Sequence, residues 1–310
     1  MILKSFLYKS SGSDAPAVEN EDESWHAPDI NLLPHTEEGD LIRYGRELIV
    51  NTSHYFGPRG IVAPITNGMN CQNCHVEAGT RAFGNSLAAV SASYPKYRDR
   101  SGRVESIEFR IKECMERSLN GSSTDSISKE MKAMVAYFKW IGKDVKRGNR
   151  PTGSGIVDIP FINRPADPQQ GKIVFAEKCQ RCHGNNGEGA MYPDSTGYIY
   201  PPLWGDKSFN VSAGLYRISR LASFIKYNMP FGPEQLPPQL TDEEAWDVAA
   251  FIVSQPRTEK KFIYDWPKIA TKPVDYPYGP YADHFTEQQH KYGPFAPIKE
   301  AKEKPKDFLK

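Results

Sequence analysis

The chain has 310 residues, a formal charge of +1, 12% aromatic residues, 25 Pro and 24 Gly. That length gives room for two modest domains, and the mixture suits a loop-rich globular protein rather than a coiled coil or a disordered polymer. The near-neutral total charge gives no sign of a nucleic-acid partner, and no apolar run approaches the roughly 18 residues of a membrane-spanning helix.

Residues 1–37 are polar, with acidic residues at Glu19, Glu21, Asp22 and Glu23, and read as an arm or leader. The start, MILKSFLYKSSGSD, is too short and too interrupted for a signal-peptide core. His26 and His35 fall in this arm and read as surface residues. A first helix is expected from about Gly39 to Val50, with Leu41, Tyr44, Leu48 and Ile49 on its apolar face. NTSHYFGPRG, with His54, reads as a loop because of its Gly and Pro.

Cys71-Gln72-Asn73-Cys74-His75 follows, and Cys179-Gln180-Arg181-Cys182-His183 repeats it later. Each is C-x-x-C-H, the attachment pattern of c-type haem. Two thiols bond the porphyrin edge, and the adjacent His reaches the iron from one side. The sequence therefore calls for two covalently attached haem c. Cys71, Cys74, Cys179 and Cys182 are the attachment residues, and His75 and His183 the iron ligands. Covalent haem attachment normally happens outside the cytoplasm, so a periplasmic protein is expected, its signal removed or replaced. With four of five cysteines assigned to haem, a disulfide scaffold is not expected.

After a basic loop with Arg98, Arg100 and Arg103 comes SIEFRIKECMERSLNG, Ser106 to Gly121. Ile107, Ile111 and Met115 stand at i, i+4 and i+8, the spacing of one buried helix face. Arg110, Cys114 and Ser118 repeat the same spacing on another stripe. A cation, a thiol and a hydroxyl on one stripe suit the lining of an anion pocket. Cys114 is the cysteine left over from the haem motifs; it can be a buried thiol, or the second ligand of the first iron, with Met115 the competing ligand. A thiolate ligand would pull the potential of that haem below that of a Met-ligated one.

A helix from about Ser126 to Ile141 should bury Met131, Met134, Val135 and Phe138. GKDVKRGNRPTGSG reads as a linker. Asp167 as N-cap and Pro168 in the first turn open the helix leading to Cys179. Another helix is expected over Ala213 to Tyr227, ending before Pro230. Met229, on the loop after it, is the leading second ligand for the second iron. Met191 lies too close to His183 to cross easily to the opposite face, and Lys226 must lose a proton to bind. Thr241-Asp242-Glu243-Glu244 is a capping box for a last helix, from Glu244 to Val253. Residues 259–310 read as an extended surface tail, with His284 and His290 solvated.

The fold class expected is mainly α: two class I-like cytochrome c domains in tandem with extended N- and C-terminal segments. The boundaries are an arm at 1–37, the first domain at 38–149, a linker at 150–160, the second domain at 161–258 and a tail at 259–310.

The run from Asn67 to Cys71, the Arg110–Gly121 helix, the second C-x-x-C-H and Asn228-Met229-Pro230 together resemble thiosulfate dehydrogenases. These are dihaem cytochromes that interconvert thiosulfate and tetrathionate. The resemblance covers about residues 38–258. It implies that the first haem is the active site, with His75 and Cys114 as axial ligands and Arg100, Arg110 and Ser118 lining the substrate pocket. Arg98, Arg103 and Arg117 are further arginines that could line it. It also implies an electron-relaying second haem, held by His183 and Met229, and an external cytochrome or similar electron carrier as partner. Some members carry a Lys just before the Met; here that residue is Asn228, so a permanent His183/Met229 pair is expected. The alternatives are a dihaem electron-transfer cytochrome without substrate chemistry, a dihaem peroxidase, and a sulfur-carrier cytochrome.

Overall fold

The structure is a computed structural model, and it describes residues 25–232 and 239–303. In chain order the elements are α1 (Glu37–Val50), α2 (Thr52–Phe56), α3 (Val90–Ser93), β1 (Lys96–Arg98), β2 (Arg103–Glu105), α4 (Ile107–Arg117) and α5 (Lys129–Ile141). They continue with α6 (Pro168–Lys178), α7 (Gln180–His183), β3 (Ala190–Met191), β4 (Tyr198–Tyr200), α8 (Ile218–Asn228), α9 (Asp242–Ser254), α10 (Glu287–Tyr292) and α11 (Ala296–Glu303). The strands form two small antiparallel hairpins, β1–β2 and β3–β4.

The helix starts follow from side chains that satisfy otherwise orphaned N–H groups. The Thr36 hydroxyl accepts from Gly39 N, Ser106 from Phe109 N, Ser128 from Met131 N, and the Asp167 carboxylate from Gln169 N. Thr241 and Glu244 close the capping box of α9. Two expectations are corrected here. NTSHYFGPRG is not all loop: Thr52–Phe56 is helical, because the Thr52 hydroxyl donates to Leu48 O and Phe56 is fully buried. The Ala213–Tyr227 helix begins only at Ile218, since Arg217 takes extended backbone after a short 3-10 turn.

Each domain is built on one close helix crossing. In the first, a Cβ on Gly45 of α1 would stand 2.0 Å from the Ala133 carbonyl of α5. In the second, a Cβ on Gly171 of α6 would stand 1.8 Å from the Asp247 carbonyl of α9. Glycine at these two positions lets the backbones touch. Around the first crossing Leu48, Ile49, Met115, Met131, Met134 and Ile141 form one core. Around the second, Phe175, Ile218, Trp246, Val248 and Ile252 form another. Burial of each such side chain contributes about 1.5–3 kcal/mol.

The terminal segments join these cores. Trp25, Ala27, Ile30 and Leu33 pack on the first, and Trp25 N donates to Thr152 O. Phe295 and Ile298, each 1% exposed, belong to the second core. The tail is therefore folded into the molecule. His290, expected to be solvated, is buried: its ring stacks on Tyr281 and bonds Asp283 and the Val274 carbonyl. His26, His35, His54 and His284 are exposed. The acidic residues Glu19 to Glu23 lie outside the described residues.

The two domains meet along the end of α4. Asn210 donates its N–H to Arg117 O and its side-chain amide to Glu116 O, while Asn67 Nδ2 donates to Ser208 O. Tyr198 of β4 is buried in the first domain's core.

Candidate haem centres and the arginine helix

Cys71–Asn73 forms a single 3-10 turn, capped by Asn70 and Asn73 in a reciprocal pair. Cys71 N donates to Thr52 Oγ1, so the short α2 helix helps to fix the motif. His75 Nδ1 lies 2.7 Å from Asn85 O. A carbonyl only accepts, so Nδ1 carries the proton and Nε2 is left bare for a metal. His183 repeats the arrangement, with Nδ1 2.8 Å from Pro201 O. Burial pushes His75 down to about 4, against the pull of the Asn85 carbonyl, and lowers His183 as well. Both rings are neutral imidazoles near pH 7. Burial also pushes the Cys71 thiol up to about 11 and Cys74 up to about 12.

Helix α4 brings its stripe to the same place. Arg110, Cys114 and Ser118 are all half-buried, while Ile107, Ile111 and Met115 face the core. Cys114 is the largest influence on Arg110 and raises its pKa, followed by burial, which opposes, and by Tyr94. The Arg110 charge in turn reaches His75. The structure thus gathers Cys71, Cys74, His75, Arg110 and Cys114. Ser118 is the C-cap, one turn beyond, its N–H donating to Cys114 O at 2.8 Å.

Arg100 stands differently. It is buried against the C-terminal segment, its guanidinium 5.7 Å from the Trp266 ring and 5.9 Å from the Tyr276 ring, with one N–H on Ser212 O at 3.3 Å. Arg117, Arg110 and Asp265 are the other charges it feels. Arg98 lies at 4.0 Å from the buried Glu105, and the exposed Arg103 stacks on Phe109. Arg117 lies in the interior, on the Glu113 side of α4.

Among the second-iron candidates, Lys226 is held in an ion pair with Asp242 at 2.8 Å, and Met191 is 45% exposed on β3. Met229 is the half-buried C-cap of α8, packed with Phe224. His183 has the Tyr200 ring edge-on at 6.4 Å.

These residues fit haem c. Each motif offers two thiols and a bare imidazole nitrogen. Arg117 Nε, on the helix of Cys114, and Trp266 Nε1 are buried donors with no hydrogen-bond partner among the described residues, the kind of group that an anionic carboxylate such as a haem propionate satisfies. Sequence reasoning missed Glu113, Asp265 and Trp266. Glu113 had a local signal, standing at i, i+3 after Arg110 and i, i+4 before Arg117. Asp265 and Trp266 had none.

The SoxA/TsdA cytochrome c domain family matches residues 63–146, and the cytochrome c family matches residues 168–256. The chain is similar to the thiosulfate dehydrogenase of Psychrobacter arcticus, at 39% identity over 77% of this chain and 71% of that protein. It is also similar to that of Allochromatium vinosum, at 36% identity over 74% of this chain and 83% of that protein. Among solved structures it resembles the as-isolated thiosulfate dehydrogenase TsdBA of Marichromatium purpuratum, with a TM-score of 0.68 and 29% identity. That match covers 74% of this chain; the chain spans about half, 49%, of the length of that one. Among the described residues no helix is long and apolar enough to cross a membrane. Two cytochrome c domains on two cores, each with its covalently attached haem c, and relatives of this identity and extent place the chain in the thiosulfate dehydrogenase family, as an oxidoreductase acting on sulfur compounds.

Proposed function

We propose that this protein interconverts thiosulfate and tetrathionate at its first haem domain, where His75 and Cys114 would hold the haem iron. The observation that supports it is Arg110 beside Cys114 on α4, facing the His75 motif. The haems, when bound, supply the redox-active iron and take up electrons. His183 and Met229 would hold the second haem, which would supply a relay for electrons to an external cytochrome or similar carrier in the periplasm.

Two thiosulfates give tetrathionate and two electrons. Each substrate is a dianion, so bringing two together requires fixed positive charge. Arg110 supplies it beside Cys114 and orients the sulfonate oxygens by charge-assisted hydrogen bonds, while Arg100, buried against Trp266 and Tyr276, adds positive charge. Ser118, one turn from Cys114, adds a hydroxyl donor. With its sulfur off the iron, the Cys114 thiolate and the terminal sulfur of one thiosulfate form a sulfur–sulfur bond, releasing two electrons. The terminal sulfur of a second thiosulfate attacks the sulfur that came from the first. That breaks the new bond, releases tetrathionate and returns the Cys114 thiolate, as in thiol–disulfide exchange.

The test is a spectrophotometric assay of the wild type beside Cys114→Ala, in both directions. Thiosulfate with ferricyanide reads oxidation, and tetrathionate with a reduced donor reads reduction. Activity that collapses in Cys114→Ala supports the reading. Equal turnover by both proteins overturns the role of Cys114. No turnover by either, with both haems incorporated, leaves an electron-transfer cytochrome.

A further inference from the structure

The arginines of α4 are held by a residue from outside both haem domains. Asp265, in the C-terminal segment, accepts from Arg117 Nη1 at 2.6 Å and from Nη2 at 2.8 Å. Arg117 Nη2 also meets Glu113 Oε1 at 3.1 Å. The other oxygen of that carboxylate, Oε2, accepts from Arg110 Nη1 at 3.2 Å. The line Asp265–Arg117–Glu113–Arg110 therefore runs without a break to the side chain beside Cys114. It is dry along most of its length: the side chains of Glu113, Arg117 and Asp265 are 4%, 7% and 10% exposed. The Phe262 ring lies 3.9 Å from the Arg117 guanidinium and closes the line from the outside. The segment lies beyond the last residue matched by either domain family, residue 256.

We propose that Asp265 is a positioning residue of the thiosulfate site, acting through Arg117 and Glu113 to fix Arg110 beside Cys114. The inference rests on the reading of Arg110 and Cys114 as that site. Glu113 divides its two oxygens between two guanidiniums. It can do so because Asp265 already neutralises Arg117. Without Asp265, Arg117 is a buried cation whose remaining carboxylate partner is Glu113. Glu113 is then drawn onto Arg117, and Arg110 loses the contact that orients it. The site gains a positive charge in the same step, so the dianionic substrate is not bound less tightly. What is lost is orientation at the reacting sulfur, which falls on kcat.

The experiment uses the full chain with both haems: wild type, Asp265→Asn, Asp265→Glu and Asp283→Asn. The last loosens a different anchor of the same segment, the Asp283–His290 pair at 2.9 Å. Three readouts are taken: kcat and KM for thiosulfate with ferricyanide, the ferric EPR signal of the haem on His75, and the thermal midpoint. Asp265→Asn is expected to lose about tenfold in kcat with no rise in KM, and to alter that EPR signal. Asp265→Glu is expected to recover kcat to within about threefold, because it restores the carboxylate. Asp283→Asn is expected to lower the midpoint without lowering kcat. Wild-type kcat and EPR in Asp265→Asn overturn the proposal, and so does an equal kcat loss in Asp283→Asn. If Asp265→Asn fails to fold, Glu113→Gln tests the same line, and unchanged kcat and EPR there overturn it. An inactive wild type would be a failure of the thiosulfate reading and is seen separately in the comparison with Cys114→Ala.

Discussion

Val76, the residue after His75, packs in one apolar cluster with Met229, together with Ile156 and Phe224. Asn228 reinforces the contact, its side-chain amide donating to Phe83 O of the first domain at 3.3 Å. The loop proposed to ligate the second iron thus rests on the strand of chain that leaves the first haem motif.

Met229→Leu separates packing from ligation. The swap conserves volume, so stability should change by less than about 1.5 kcal/mol. Loss of the thioether should lower the potential of the second haem and remove its sulfur-to-iron absorption band. Redox titration and the ferric spectrum check this. An unchanged potential would mean that Met229 only packs.

Gly171→Ala should destabilise the second domain by about 3 kcal/mol or more. Its Cβ would stand 1.8 Å from Asp247 O, a backbone atom that moves only if α6 and α9 separate. The helix-propensity gain of about 1 kcal/mol does not offset that. Thermal unfolding of the holoprotein is the measurement.

Arg110→Gln should lower kcat/KM for thiosulfate by about 10²–10³-fold. The ferricyanide assay reads it. Both haems should still incorporate, because the attachment thiols and His75 are untouched. A loss of less than threefold would remove Arg110 from the site.

A pH effect should come from Lys272, whose ammonium donates to Tyr278 O and Pro280 O beneath the Tyr276 ring. Burial pushes it down from 10.5 to about 8. Between these values the unfolded chain binds more protons than the folded one, so this residue makes stability rise with pH from about 8. Burial raises Tyr278 and Tyr281, so their protons are retained longer in the folded state, which reverses the trend above about pH 10. Lys272→Met should flatten the rise between pH 8 and 10, as read by denaturant unfolding across that range.

Much of this was legible because it is local. The C-x-x-C-H pairs, the caps Asp167 and Thr241, and the Arg110–Cys114–Ser118 stripe all depend on residues within a turn or two of each other. The rest depends on distance along the chain. Asp265 is 148 residues from the arginine that it holds, and nothing in its own neighbourhood marks it. His290 was read as solvated because the tail is polar and Pro-rich, yet Tyr281 and Asp283 close over it. NTSHYFGPRG carried its Gly and Pro signal truthfully at Gly57 and Pro58, while the packing of Phe56 decided the residues before them. Arg100 is grouped with Arg110 only by the family resemblance, and its packing on Trp266 and Tyr276, distant in the chain, is not legible in the sequence.

The late position of Asp265 has a bearing on biosynthesis. A ribosome completes every residue of the first haem domain well before it reaches residue 265. Until then Arg117 has Glu113 but lacks the second of its two carboxylate partners. A nascent or prematurely terminated chain therefore holds α4 with its ion-pair line unfinished, and the complete line marks a chain translated through that point.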